Sequence, residues 1–296
     1  MKYFTKEWYK DTQKTDIHLL MSTTRKADKF DEKYFQDLYK KELKQFLKDE
    51  KEMCEMTEED LFDESDWDEI SVLNEDGHMI NVSEIMSQEE VNELRNNILN
   101  EEKEVAENFE IEPYDEEKLI KQFEENHVDN IEYLRRNLPE DILKDVADIR
   151  VLALDKASRH IKKRIEKYCR ENEKRSDKVI NEYSKYFGKI KNNIPKKILE
   201  NYEFHDCEIL SIEKIGNDII FNLDNSGGFT DVNKIKYKNA KILENNLDEN
   251  AYWIYDEIYV LDEGYEFHIG ISANNEYDYD YISITATDVD FEYNEN

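Results

Sequence analysis

The segment Phe204–Glu213, FHDCEILSIE, ends one kind of sequence and begins another. Before it the chain is rich in charge and poor in glycine, with only Gly77 and Gly188 ahead of Pro195. After it come short aromatic and β-branched runs with Gly216, Gly227, Gly228, Gly264 and Gly270 between them. Within the segment the apolar period changes from 3.6 to 2. Cys207, Ile209, Ser211 and Glu213 alternate with Glu208, Leu210, Ile212 and Lys214, as on a strand with one buried face. Gly216-Asn217-Asp218 then predicts a tight reversal into Ile219–Leu223, a hairpin signature.

Further strands are expected at Asn233–Tyr237, Lys241–Leu243, Tyr252–Leu261, Tyr265–Ser272 and Tyr279–Asp290, with turns at Asp224–Phe229, Gly264 and Ala273–Asp278. Short strands with turns at even spacing predict an antiparallel sandwich or a partly open barrel.

Working back toward the start, Gly188–Pro195 carries the Gly, Asn and Pro that stop a helix. Ahead of it, Pro139 opens a stretch expected to stay helical to Phe187. The outer face of that stretch is basic, with Arg159, Lys162, Lys163, Arg164, Lys167 and Arg170. It is read as a match for the acidic segments Glu101–Glu107, Asp115–Glu117 and Glu124–Glu125 rather than as a phosphate contact. Asp115 caps an expected helix running through Leu134, and Ser83–Glu90 starts one through Val105. Phe30, Tyr34, Phe35, Leu38, Tyr39, Leu43, Phe46 and Leu47 form the buried stripe of a helix within Thr24–Glu50. The acidic stretch Thr57–Glu69 is read as a solvated segment pinned by Leu61, Phe62 and Trp67, and Asn74–His78 as a turn. The fold class is α+β: a helical domain over 1–190, a linker over 191–200 and an antiparallel β domain over 201–296.

Formal net charge is −31, from 41 basic and 72 acidic side chains. Residues 196–296 hold 7 Lys and no Arg against 23 acidic residues, a net of −16, and the 195 residues before them carry −15. The last third is therefore about twice as acidic per residue. Such a field repels phosphate backbones and attracts basic proteins. Nucleic acid is accordingly not the expected partner. With 19 Tyr and 13 Phe the chain has the aromatic mass to fold. Cys54, Cys169 and Cys207 give neither a disulfide framework nor paired zinc spacing. No apolar run approaches the roughly 20 residues of a membrane span, and the opening MKYFTKEWYK has no signal-peptide core. A cytoplasmic protein is expected.

Several motifs together resemble a bacterial family catalogued as a domain of unknown function, number four thousand and eighty-five. They are the opening MKYFTKEWY, LPEDILKDVADIRVLAL (138–154), NYEFHDCEILS (201–211), LDNSGGFTDVNKIKYKNAKIL (223–243), WIYDEIY (253–259) and GYEFHIGI (264–271). The family is found mainly in low-GC Gram-positive bacteria, and the resemblance implies neither an activity nor catalytic residues. The phrase HDCEILSIE at the head of an acidic β region also resembles the start of some small bacterial immunity proteins.

Two candidate sites follow from the residues. His205 and Asp206, joined by His268 from a later strand, carry donors for a divalent metal and hence for a hydrolase-type enzyme. Neighbours on a strand point to opposite faces, so His205 and Asp206 converge only if they occupy a turn. Cys207 is a poor nucleophile, because Asp206 and Glu208 disfavour its thiolate. The second candidate is a contact surface made of Tyr252, Trp253, Tyr255, Asp256 and Glu257. Aromatics within a charged rim have the anatomy of an interface. The favoured expectation is a non-catalytic, cofactor-free interaction protein, immunity-like in kind, that meets a basic protein partner.

Overall fold

The computed structural model describes residues 1–56, 71–73, 79–81, 85–87, 89–92, 94, 113–247, 251–272 and 279–293. The acidic stretch 57–69, the turns at 74–78 and 273–278, and most of the helix expected from 83 to 105 lie outside them. The chain divides into two compact units. One comprises Met1–Asp28, Leu134–Val146 and Ala157–Asn296, and the other Lys29–Tyr133 and Ala147–Lys156.

The second unit is built on two helices. Helix α2 (Glu32–Cys54) starts where Asp31 accepts the amide of Tyr34, and α3 (Glu116–Asn137) where Asp115 accepts that of Lys118; α1 belongs to the other unit. These caps satisfy amides that a helix start leaves open. Phe35, Tyr39 and Phe46 of α2 meet Phe123 and His127 of α3 ring to ring. The expected stripe is realised in part: Phe35 and Leu38 are buried, whereas Phe30 precedes α2 and is exposed and Leu43 and Leu47 are only half-buried. A short ladder, Ser71–Leu73 with Met79–Asn81, lies in the same unit.

The first unit holds α1 (Lys6–Thr12), α4 (Glu140–Leu143), the 32-residue α6 (Arg159–Ile190) and α7 (Lys196–Asn201). One continuous helix from Pro139 to Phe187 was expected, and the chain instead breaks. Asp148 caps the short α5 (Ile149–Leu152), Asp155 adopts φ 58°, and Ser158 starts α6 by accepting the amide of Ile161. Three residues that favour caps and turns over helix interiors set these breaks. Part of the basic face of α6 is matched by carboxylates of the same unit, while the expected segment Glu101–Glu107 lies outside the described residues. Arg164 bridges Asp141 and Asp145, Arg175 meets Asp11 at 2.9 Å, and Lys167 and Lys178 pair with glutamates one turn on.

Eight strands after Asp206 make one antiparallel sheet. They are β1 (Glu208–Ile215), β2 (Asp218–Asp224), β3 (Val232–Lys238), β4 (Lys241–Asn245), β5 (Ala251–Val260), β6 (Tyr265–Ser272), β7 (Tyr279–Ala286) and β8 (Asp288–Tyr293). The order across the sheet is β8-β3-β2-β1-β5-β6-β7-β4, which leaves it open at both ends. Two four-stranded halves thus meet at β1 and β5, where only Glu208↔Tyr252 and Ile209↔Ala251 are in register. The predicted reversal joins β1 to β2 through Gly216 at φ 64°.

Alternate residues supply the inner face. Phe221, Ile235, Trp253, Phe267, Ile269, Ile282 and Ile284 are buried there. Burying a side chain of this size stabilises by about 1.5–3 kcal/mol. Ile194 and Ile198 join this cluster, with Phe187 and Ile190 against it. Residues 191–200, read from the sequence as a linker, are therefore part of the sheet's core. Gly188 lies inside α6, which runs on to Ile190, and Pro195 stands at the start of α7, while the apolar residues around them are spent on packing.

Candidate functional site

After α7 the chain passes Tyr202, whose hydroxyl lies 2.9 Å from that of Tyr237, and Phe204, which packs on Trp253 with ring centres 5.0 Å apart. It then turns at His205 and Asp206, which precede β1. Asp206 takes φ 66°, a left-handed conformation that Asp tolerates better than most residues. Its amide donates to the Trp253 carbonyl at 2.8 Å, and the Trp253 amide donates to the Cys207 carbonyl at 2.9 Å. These bonds carry the β1–β5 junction past its two registered pairs, so the turn is fixed to the seam between the half-sheets.

The turn meets the condition stated from the sequence. His205 Nδ1 stands 2.9 Å from Asp206 Oδ2, with both side chains 49% exposed. The His205 ring also meets Tyr255 edge-on at 6.0 Å. His268 is committed elsewhere. Its Nε2 is 2.5 Å from Glu266 Oε1 and its Nδ1 is 3.6 Å from Glu257 Oε2. Among the described residues no cluster of three His, Cys, Asp or Glu side chains is placed to hold a metal ion. His205 and Asp206 are thus together and His268 is not with them, because it lies on a strand across the sheet from the turn.

A loop presses on the turn from the side. Between β2 and β3, Asp224 accepts the Ser226 amide and Asn225 donates to the Thr230 carbonyl, which closes the loop on itself. A Cβ on Gly228 would fall 2.4 Å from Cys207 Sγ, and one on Gly227 would fall 3.0 Å from the Asp206 carbonyl oxygen. The glycines are required by close approach, since neither takes a positive φ. Phe229 follows them and is 83% exposed. Cys207 lies buried beneath, with its thiol pushed up to about 11 by burial and then by Asp206.

The five residues expected to form a contact surface are divided by the sheet. Tyr252 is 41% exposed, but Trp253 is wholly buried in the core and Glu257 is wholly buried too. Their alternation puts opposite faces of β5 on successive residues, so one side of the molecule cannot display all five. Asp256 shares the inner face with Ile258 and Ile269, and Trp253 Nε1 donates to it at 3.3 Å. Burial pushes its carboxyl up to about 7, against the opposing pull of that indole.

Glu257 points the other way and grips the start of the chain. One carboxylate oxygen accepts the amides of Tyr3 (2.7 Å) and Phe4 (2.6 Å), and the other accepts the Lys2 amide (2.8 Å) and the Tyr259 hydroxyl. Phe4, Trp8 and Tyr9 of this segment pack with Tyr279 into a separate cluster. A buried carboxylate with that many donors is an anchor, not a reactive group. Its sequence signal was present in the aromatic opening KYFTKEWY and in a Glu set among strand aromatics, but no spacing rule links residues 250 positions apart.

The sequence profile of the family described as "Protein of unknown function (DUF4085)" matches residues 80–275, the larger part of the chain. The chain belongs to that family. The matched DUF4085 region includes the His205–Asp206 turn, the glycine loop and β5. No curated relative and no solved structure matches the chain, so the short likeness to immunity proteins gains no support. No helix among the described residues is long and apolar enough to cross a membrane.

Proposed function

We propose that this chain is a non-catalytic interaction protein, and that the loop-and-turn surface at the seam of its sheet meets a basic protein partner. The observation that carries this reading is Phe229. It stands 83% exposed on a loop that two glycines hold against the half-exposed His205–Asp206 turn. An aromatic fixed on a rigid loop, with a carboxylate beside it, has the make-up of an interface anchor with a charged rim. Tyr252, at the same seam, adds a second exposed aromatic. The net charge of −16 over residues 196–296 supplies long-range attraction for a cationic surface. Of the five residues expected to touch the partner, this reading keeps Tyr252 alone: Trp253 and Glu257 are buried, Asp256 faces the core and Tyr255 packs on Phe4, Trp8 and Tyr9, so Phe229 and Asp206 take their place.

Affinity capture from native lysate tests it. A basic protein is expected at about 0.05 M salt and is lost near 0.5 M, where the Debye length falls to a few ångström. Phe229→Ala is expected to weaken the purified complex about tenfold or more, as for an interface hot spot. Recovery of no basic protein at low salt, or a complex indifferent to Phe229→Ala, would discard the proposal.

A further inference from the structure

A groove of about 380 Å³ runs along α2 from Lys40 to Lys51, with Tyr114 on its far wall. Its floor is Leu43 and Leu47, which stand half-buried. They lie apart from Phe35, Tyr39 and Phe46, which meet the rings of α3. Helix α2 therefore presents a second apolar row that those contacts leave uncovered.

Lysines border this row. Lys40, Lys44, Lys48 and Lys51 line the groove, are all exposed, and recur every three to four residues. Lys48 and Lys51 pair with Glu52 and Glu55 one turn on, at 3.1 and 3.6 Å. Lys40 and Lys44 have no carboxylate within ion-pair distance among the described residues. The acidic side chain on the lining is Glu116. In a chain of net charge −31 this is a local reversal of sign, and at physiological salt a field reaches only about 8 Å. Among the described residues the lining carries four lysines against Glu116, with Lys40 and Lys44 unpaired, so it favours a negatively charged occupant.

We propose that this groove seats an acidic amphipathic helix of a partner protein. Its apolar side chains, spaced i, i+3, i+4 and i+7, would rest on Leu43 and Leu47, with its carboxylates against Lys40 and Lys44. The lining from Lys40 to Lys51 spans about 17 Å at 1.5 Å per residue, the length of some three helical turns. The apolar floor of Leu43 and Leu47 favours a helix with an apolar face over a purely anionic surface, which lysines alone would suffice to meet. The site is independent of the loop-and-turn surface and takes the opposite charge.

The test uses the full chain and a fluorescein-labelled synthetic peptide of about 18 residues, long enough to hold a helix. The peptide carries Leu at i, i+3, i+4 and i+7 with Glu and Ala elsewhere, and a control has the same composition without the period. Anisotropy is expected to show saturable binding of the amphipathic peptide, about tenfold tighter than the control and weaker at about 0.3 M than at about 0.05 M salt. Lys40→Glu with Lys44→Glu is expected to weaken it about tenfold, and Lys40→Ala with Lys44→Ala less so, both with an unchanged circular dichroism spectrum. Absence of saturable binding, equal binding of the control, or indifference to both double variants would overturn the proposal. So would binding that appears only when residues 57–69 are replaced by a Gly/Ser linker, which would assign the groove to that stretch. Capture by phosphatidylglycerol vesicles without peptide binding would assign it to a membrane and overturn it equally.

Discussion

Asp256 ties the charge of one carboxyl to the stability of the sheet. It sits on the inner face among Ile258, Ile269 and Trp253, and burial raises its pKa from the ordinary carboxylate range to about 7. An unfolded chain releases this proton near pH 3.9, while the folded chain holds it some three pH units longer. The stabilisation is therefore whole below about pH 4 and is lost as pH rises through about 7. Asp256→Asn, which stays neutral and keeps an oxygen for the Trp253 indole, is expected to remove this slope. At pH 8 the variant should unfold in urea with on the order of 2–4 kcal/mol more stability than the parent, and near pH 4 with no advantage. Parallel pH profiles for the two proteins would show that Asp256 ionises freely through its exposed edge. The residue was legible in the sequence as half of an acidic pair flanked by aromatics. That its partner Glu257 faces the opposite way follows from the strand period. That both faces of β5 are covered does not.

At the scale of elements, β5 is the piece that other parts of the first unit close upon. It meets β1 at the seam and β6 along its length. From its outer face Glu257 holds residues 2–4 by three backbone amides. Removing that carboxylate leaves three amides without their acceptor, and an unpaired buried polar group costs about 1–3 kcal/mol. Glu257→Ala is accordingly expected to lower stability by about 3 kcal/mol. It should also release the amides of Lys2, Tyr3 and Phe4 to fast hydrogen exchange while the β6–β7 amides stay protected. Unchanged exchange at residues 2–4 would mean that Phe4, Trp8 and Tyr9 hold the segment by packing alone. Elements were well predicted where the pattern was local. The β1–β2 hairpin followed from Gly216-Asn217-Asp218, and helix α2 from its three-to-four spacing. The break between α4 and α6 was missed, because Asp148, Asp155 and Ser158 act as caps there. Each is equally at home on the solvent face of a helix.

Across the whole molecule the dominant feature is a charge of −31 on a chain of 296 residues. Part of it is locally neutralised. Lys238 meets Asp288 and Asp290 at 3.2 and 2.6 Å, Lys234 meets Glu292 at 2.7 Å, and Lys197 bridges the first two. Exposed pairs of this kind are worth no more than about 1 kcal/mol each, whereas like-charge repulsion acts between all surplus carboxylates. Raising salt from about 0.02 to about 0.5 M is therefore expected to increase the thermal midpoint, because it screens the repulsion more than it weakens the pairs. A midpoint that falls with salt would mean that the lysine–carboxylate ladder at the β3–β8 edge outweighs the net charge. The sequence alone settled the order of architecture, helices and then an antiparallel sheet, since apolar period and glycine placement are properties of neighbouring residues. It also settled the sign of the field and the need for a turn if His205 and Asp206 were to meet. Only the tertiary structure decided that residues 191–200 belong to the core, that His268 answers to Glu257 and Glu266, and that Phe229 stands out beside the turn. Those outcomes depend on which distant strands lie side by side, and a pairing between residues tens to hundreds of positions apart leaves no period in the chain from which to read it.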